Sequence, residues 1–467
     1  MLVHECATIT NEQLSLKKIK HPPLVRLDCA VYATYSIIDG IRYVKRLTNS
    51  IPEGETYTVL SREAQALHGV YIAEDYRGVR AFKFCPPDAP LSSPGPITNS
   101  YWRSLAGLPD TKRMAIESDG VMVRRILIPG QFRCTDIKHY TRWQNPKHPS
   151  DVIDLQSLNK GLSHEHREVW MTSFDCNIEG ITGYTVVTDG DLMAKIHAHR
   201  PGEEAKFYAE IEQSWPCGLF FYMPLDEGEY LTEICLRHGR AVNSGKEFSN
   251  CLVFVTNKGR TTLFGAALSS SDVVSYHKMA VLSSKGSQIY VNDWRFPHLD
   301  QIRYVAFDDD ASAFEQVPIP SFLVPHFPSV CTRNNGPWFT SSCSMEGLNK
   351  ITLCRDFSLA HKPIIGMLMD YETGHRECLG RFRFDKTLEK LCLDSDTDLY
   401  VGTGRNIWRF LYLDQIVDTP RFEKKHLRWM RIPRDGIMEW WNSYQHSILR
   451  HTSFRGQVTT NLDDARL

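Results

Sequence analysis

The sequence has no apolar run of about 18 residues, so no segment reads as a helix that spans a bilayer. It has no excess of charge either. The 467 residues hold 54 Lys and Arg against 55 Asp and Glu, which leaves no basic footprint for nucleic acid or for an acidic membrane surface. Its N-terminus, Met1-Leu-Val-His-Glu-Cys6, lacks the charged and then apolar stretch of a secretory leader. No two of the 13 cysteines, from Cys6 to Cys392, stand in a Cys-x-x-Cys spacing. Buried free thiols in a reducing, cytoplasmic setting are therefore expected, with no zinc site and no disulfide framework. There is no phosphate-binding Gly-x-x-x-x-Gly-Lys, no dinucleotide Gly-x-Gly-x-x-Gly, no Gly-x-Ser-x-Gly elbow and no His-Glu-x-x-His. Nucleotide-driven, nicotinamide-driven, serine-hydrolase and zincin chemistry lose their usual carriers.

Long helical periodicity is nearly missing too. Only Asn11 to Lys20 and Met438 to Arg450 space their apolar residues as helices do, the second through Met438, Trp441, Tyr444 and Ile448. What remains alternates apolar with polar residues between Gly-containing turns, as in Ile181 to Ile196, Leu252 to Phe264 and Ile364 to Phe384. The expected class is all-β, built from repeated antiparallel sheets. Four hairpins carry that expectation: Gly69 to Phe82, Gly183 to Gly190, Leu252 to Gly265 and Gly366 to Gly380. Their turn glycines Gly78, Gly190, Gly259 and Gly374 lie 112, 69 and 115 residues apart. The near-equal 112 and 115 suggest internal repetition, and a β-propeller is favoured over stacked β-prisms.

Proline and serine place the seams. Residues 1–96, up to the Cys85-Pro-Pro-Asp-Ala-Pro-Leu-Ser-Ser-Pro-Gly-Pro96 loop, form the first group of β units, and 97–317 the central one. Residues 318–451 form a C-terminal group ending in a helix, and 452–467 a polar tail without periodicity.

Two resemblances add to this. Phe220-Phe-Tyr-Met-Pro-Leu-Asp-Glu-Gly-Glu-Tyr-Leu-Thr-Glu-Ile234 followed by Leu252-Val-Phe-Val-Thr-Asn-Lys-Gly-Arg-Thr-Thr-Leu-Phe-Gly265, within 216–268, resembles the core of jacalin-type β-prism lectins. That resemblance implies a β scaffold and, as an alternative function, a cytosolic carbohydrate-binding protein. The sugar loop of those lectins, Gly-x-x-x-Asp, is replaced here by Gly265-Ala-Ala-Leu-Ser. Ile38-Asp-Gly-Ile-Arg-Tyr-Val44, His68 to Ala81, Phe339 to Leu348 and Ile365 to Glu377 resemble large fungal F-box-associated proteins. The Leu-Pro-x-Glu opening of an F-box is missing, so a ubiquitin-ligase adaptor role does not transfer; an F-box-related interaction scaffold is a second alternative. Within that group the chain is similar to the fungal hetero-Diels–Alderases of tropolone-sesquiterpenoid pathways. This implies a cofactor-independent pericyclase, joining an electron-poor heterodiene to an apolar terpene alkene. Apolar and aromatic small molecules are the expected partners, with no nucleic acid, no membrane and no cofactor, and with homo-oligomerisation left open.

Such a reaction needs a hydrogen-bond donor on the heterodiene carbonyl and flat walls around it. Turn-rich segments offer both. Trp294, Arg295 and His298 lie in Asn-Asp-Trp-Arg-Phe-Pro-His, Asn335 and Trp338 in Asn-Asn-Gly-Pro-Trp-Phe, and Arg405 and Trp408 in Thr-Gly-Arg-Asn-Ile-Trp-Arg. Arg295, Arg405 and His298 are the candidate donors; Trp294, Trp338, Trp408 and Asn335 are the candidate substrate contacts. Two His-x-His pairs, His197 with His199 and His164 with His166, lack a third ligand at motif spacing, and ordinary structural histidine accounts for both. A solvated turn accounts for Asp308-Asp-Asp310, and a solvated surface for the basic run Arg421 to Arg434.

Overall fold

The fold is that of a computed structural model. It describes residues 22–61, 69–85, 97–106, 113–127, 141–149, 151–155, 168–190, 192–202, 204–240, 251–267, 273–293, 301–308, 315–317, 337–394, 397–408, 410–419 and 426–461. Strand makes up 59% and helix 4% of the described residues, so the all-β, antiparallel expectation holds. The described α-helix is Glu204–Ser214, accompanied by one 3-10 turn at Phe384–Lys386. The described strands form seven sheets of 3, 8, 3, 5, 3, 4 and 7 strands. All four hairpins read from the sequence are present, with their glycines in the turns. Gly190, Gly259 and Gly374 adopt the left-handed backbone that such turns require.

The chain divides into two compact units. The described part of the first lies within 22–173, 290–293 and 303–306, and that of the second within 174–289, 301–302 and 307–461. The first unit closes on an aliphatic core that includes Val25, Val44, Ile72, Val79, Met114, Ile116, Val123 and Ile126. Its sheets include the antiparallel trio Leu24–Arg26, Arg113–Ser118 and Val123–Leu127.

The second unit carries the site described below. Its seven-stranded sheet runs Thr387–Cys392, Leu348–Arg355, Ile364–Tyr371, Leu411–Val417, Leu399–Arg405, Arg428–Ile432, with Arg376–Gly380 also paired to Ile364–Tyr371. A four-stranded sheet runs Phe339–Ser344, Ile437–Asn442, Ser447–Thr452, Val458–Thr460. Met345, Leu353, Met369, Leu399, Leu413 and Trp440 belong to the shared apolar core under these two sheets.

Two expectations are corrected here. Met438 to Arg450 is not a helix but a hairpin, Ile437–Asn442 paired with Ser447–Thr452. The apolar positions that fit a helical stripe also fit a strand whose last three residues, Trp440 to Asn442, are all buried, where alternation disappears. Trp440 packs into the large core while its neighbour Trp441 packs with Trp338 and Ile448. The segment read as a tail from residue 452 instead contributes Val458–Thr460, which pairs with Ser447–Thr452. The segment Asn11 to Lys20 and the proline-rich loop after Cys85 lie outside the described residues.

Candidate functional site

Three of the seven residues selected from the sequence are described: Arg405, Trp408 and Trp338. Trp294, Arg295, His298 and Asn335 lie outside the described residues, as does the His164 and His166 pair. Arg405 ends the strand Leu399–Arg405, opposite Leu411 across a hairpin. The turn between them is set by Asn406. Its Oδ1 accepts the backbone N–H of Trp408 and of Phe410, both at 3.0 Å, and its own N–H donates to the Phe410 carbonyl at 3.1 Å. This short polar side chain standing in for backbone acceptors is a usual way to close a tight turn. Gly404 leaves room for the Tyr412 ring; a Cβ there would lie 2.6 Å from ring atoms.

The turn meets a residue that sequence reasoning passed over. His446 sits in the turn from Ser443 to His446, where the Ser443 N–H donates to the His446 carbonyl at 2.9 Å and the His446 N–H to Ser443 Oγ at 3.0 Å. The imidazole lies nearly parallel to Trp338, ring centroids 6.0 Å apart, and edge-on to Phe410 at 4.8 Å. Its Nδ1 receives the Leu411 N–H at the long distance of 3.5 Å. An accepting Nδ1 leaves the ring proton on Nε2. Burial, and after it the neighbouring Arg405 charge, push the His446 pKa below the ordinary histidine value. The ring is therefore neutral at physiological pH, an N–H donor on one side and an acceptor on the other.

So Arg405 and Trp338 are brought together around His446, whereas Trp408 shares the turn and is 71% exposed. Trp338 is only 2% exposed and packs with Trp441, Ile448 and Ala267, which makes it the floor beneath His446 rather than an open wall. His446 was missed because its segment was read as a helix. The Asn442-Ser443 pair that precedes it was the available turn signal.

Two further ionisable clusters lie in the second unit. His197 and His199 stand on one face of Leu192–His199, ring centroids 4.7 Å apart. Phe207 stacks on His197 at 4.1 Å, and Phe207, Tyr208, Tyr222 and Phe384 surround His199. Burial lowers their pKa values to about 4 and about 3. Among the described residues no group of three or more His, Cys, Asp or Glu is placed to hold a metal ion. The aromatic packing is what the pair serves.

The second cluster joins three turns. His375 Nδ1 donates to Asp226 Oδ2 at 2.6 Å and Nε2 to Glu377 Oε1 at 3.2 Å. Arg260 bridges Asp226 and Glu229, each at 3.1 Å, and Thr256 Oγ1 donates to Glu229 Oε1 at 2.7 Å. The Glu377 hydrogen bond, opposed by burial and supported by Asp226, raises the His375 pKa. With both ring nitrogens donating to carboxylates, His375 is a strut between turns.

Nine of the described cysteines are free thiols, five of them buried. Burial raises Cys235 to about 11 and Cys354 to about 12, so these thiols are not nucleophiles at neutral pH. No described helix is long and apolar enough to cross a membrane. No known protein-family model matches the chain, and no curated protein matches it either.

Proposed function

We propose that the chain is a cofactor-independent pericyclase of fungal secondary metabolism, joining an electron-poor heterodiene such as a tropolone quinone methide to an apolar terpene alkene. The observation that carries this reading is His446 set between the Phe410 and Trp338 rings and beside Arg405, with burial lowering its pKa. A hetero-Diels–Alder cycloaddition turns π bonds into one C–C and one C–O bond and has no leaving group. It needs no nucleophile and no redox partner. It does need the heterodiene oxygen to be held by a fixed donor as charge builds on it. It also needs two apolar partners kept in a reactive pose, a contribution that can reach about 7–11 kcal/mol.

In this reading the His446 Nε2–H and the Arg405 guanidinium donate to the heterodiene carbonyl. The Phe410 ring borders the alkene, and Trp338 holds the imidazole plane from beneath. A neutral donor suits the task, because it polarises the oxygen without delivering a proton that would quench a quinone methide.

The test is incubation of the purified protein with a quinone methide generated in situ and a humulene-type alkene, scored by yield and enantiomeric ratio against a protein-free control. Accelerated formation of one enantiomer is expected. Arg405→Met and His446→Phe should each lower turnover by about 100-fold, the usual order for removing one oxyanion donor, with unchanged circular dichroism. A racemic adduct at the background rate, or full turnover in both variants, would overturn the reading.

A further inference from the structure

The described α-helix, Glu204–Ser214, rests on a pair of imidazoles. Its residues Phe207, Tyr208 and Ile211 are buried, while Lys206, Ala209, Glu210 and Glu212 face water. Phe207 lies flat on His197, 8° from parallel with the centroids 4.1 Å apart, and edge-on to His199. Tyr208 is tilted against His199 at 6.0 Å, and both helix rings reach Phe220. His199 is wholly enclosed. Its Nε2 has Thr185 Oγ1 at 2.7 Å, but its Nδ1 and the Nε2 of His197 are buried with no hydrogen-bond partner among the described residues. A neutral imidazole can leave one lone pair idle, whereas an imidazolium carries an N–H on both nitrogens. Protonating either ring would therefore place a charge and an unanswered donor at an atom closed off from water.

The groups around the pair do not answer such a charge. Lys195, on the same strand, repels one on His197, and His197 repels one on His199. The Tyr208 hydroxyl is taken by the Phe384 N–H, and the Tyr222 hydroxyl donates to the Thr182 carbonyl. Arg383 lies over the Tyr208 ring and pairs with Asp385 and with Glu212 of the helix, which Lys386 also reaches. No carboxylate among the described residues pairs with either histidine. We infer that the helix is an acid-released lid: it stays seated while both imidazoles are uncharged, and protonation of the pair lifts it from the strand and uncovers His197, His199 and Phe220. Burial holds the two pKa values at about 4 and about 3, below the ordinary 6.5. The hold on the helix is therefore complete above pH 6.5 and weakens as pH falls from there toward 4. His375, held between two carboxylates, responds in the opposite sense. The inference does not depend on the cycloaddition reading, and its test uses neither substrate.

The experiment is hydrogen exchange of the full chain at pH 7 and pH 5, corrected for the intrinsic pH dependence of exchange, with anilinonaphthalene sulfonate as the dye for the uncovered face. The opening constant of Glu204–Ser214 should rise at least about 100-fold at the lower pH. Dye fluorescence should rise with it, while Ile437–Asn442 keeps its protection. His197→Phe, which preserves a ring stacked on Phe207, should cut the rise to about 20-fold, and adding His199→Phe should remove it. Glu212→Gln takes away the ion pair with Arg383 and should leave the rise intact. Equal helix protection at both pH values in the wild type would overturn the proposal. So would an undiminished rise in His197→Phe, or a rise abolished by Glu212→Gln alone. Equal loss of protection in Ile437–Asn442 would mean that acid melts the whole unit rather than releasing a lid, and would overturn it too.

Discussion

Single atoms decide several positions. Gly366 shows no unusual backbone angle, yet a Cβ on it would lie 2.0 Å from the Arg381 carbonyl oxygen and 2.6 Å from its carbon. The obstacle is backbone from the neighbouring chain segment, which cannot rotate away. Gly366→Ala should therefore destabilise the protein by about 1–3 kcal/mol or more, in the range of overpacked cores, read as a fall in the urea midpoint. A neutral result would mean that the Arg376–Gly380 edge moves freely. His375 gives the second prediction. Its folded pKa is raised above the ordinary 6.5, so its contribution is complete below that value and lost as pH rises through the folded pKa. Asp226, Glu377 and Arg260 all face the ring, Arg260 opposing its charge. Unfolding midpoints should fall as pH rises above the ordinary histidine value of 6.5, and His375→Gln should flatten that slope. An equal slope in the variant would place the titration elsewhere.

Hairpins were legible and the tryptophan pair was not. Polar turns ending in glycine between alternating strands gave four correct hairpins, because turn chemistry is local. Ile437–Asn442 defeated the same reasoning because its last three residues are all buried, so Trp440 and Trp441 follow each other with no polar residue between. Arg405 and Trp338 were found by residue type in a turn context. Their common neighbour His446 depends on the pairing of two hairpins distant in sequence, which no local pattern reports. Trp440 and Trp441 now make a testable contrast at the scale of this strand. Both are fully buried, but Trp440 belongs to the large core and Trp441 to the small cluster beside His446. Each alanine substitution should cost about 3–5 kcal/mol. Only Trp441→Leu, which keeps most of the volume, should also reduce turnover, through the Trp338 floor. Equal turnover in Trp441→Leu and Trp440→Leu would detach that floor from function.

At the scale of the whole molecule the contacts divide the chain into two bodies, each with its own core. The first has a feature that composition hides. Glu74 lies between the buried Arg103 and Arg142, 3.4 and 2.7 Å from their Nε atoms, and Arg142 also reaches Glu168 at 3.0 Å. One carboxylate thus offsets two guanidinium groups in the interior of the sheet, and in sequence these residues are merely charged positions in separate strands. Glu74→Gln keeps the shape and removes the compensation, leaving two buried cations with only the half-exposed Glu168 to answer them. Breaking a buried pair from one side usually costs about 3–5 kcal/mol. If each body is stabilised by its own core, that loss stays within the first. Hydrogen exchange in Glu74→Gln should then accelerate in Gly69–Glu74, Tyr101–Ala106 and Thr141–Trp143, while Ile364–Tyr371 and Ile437–Asn442 keep wild-type protection. Uniform acceleration across all five strands would mean that the two cores unfold as one cooperative system. In that case the Glu74 network would be stabilising the site around His446 as well as its own sheet.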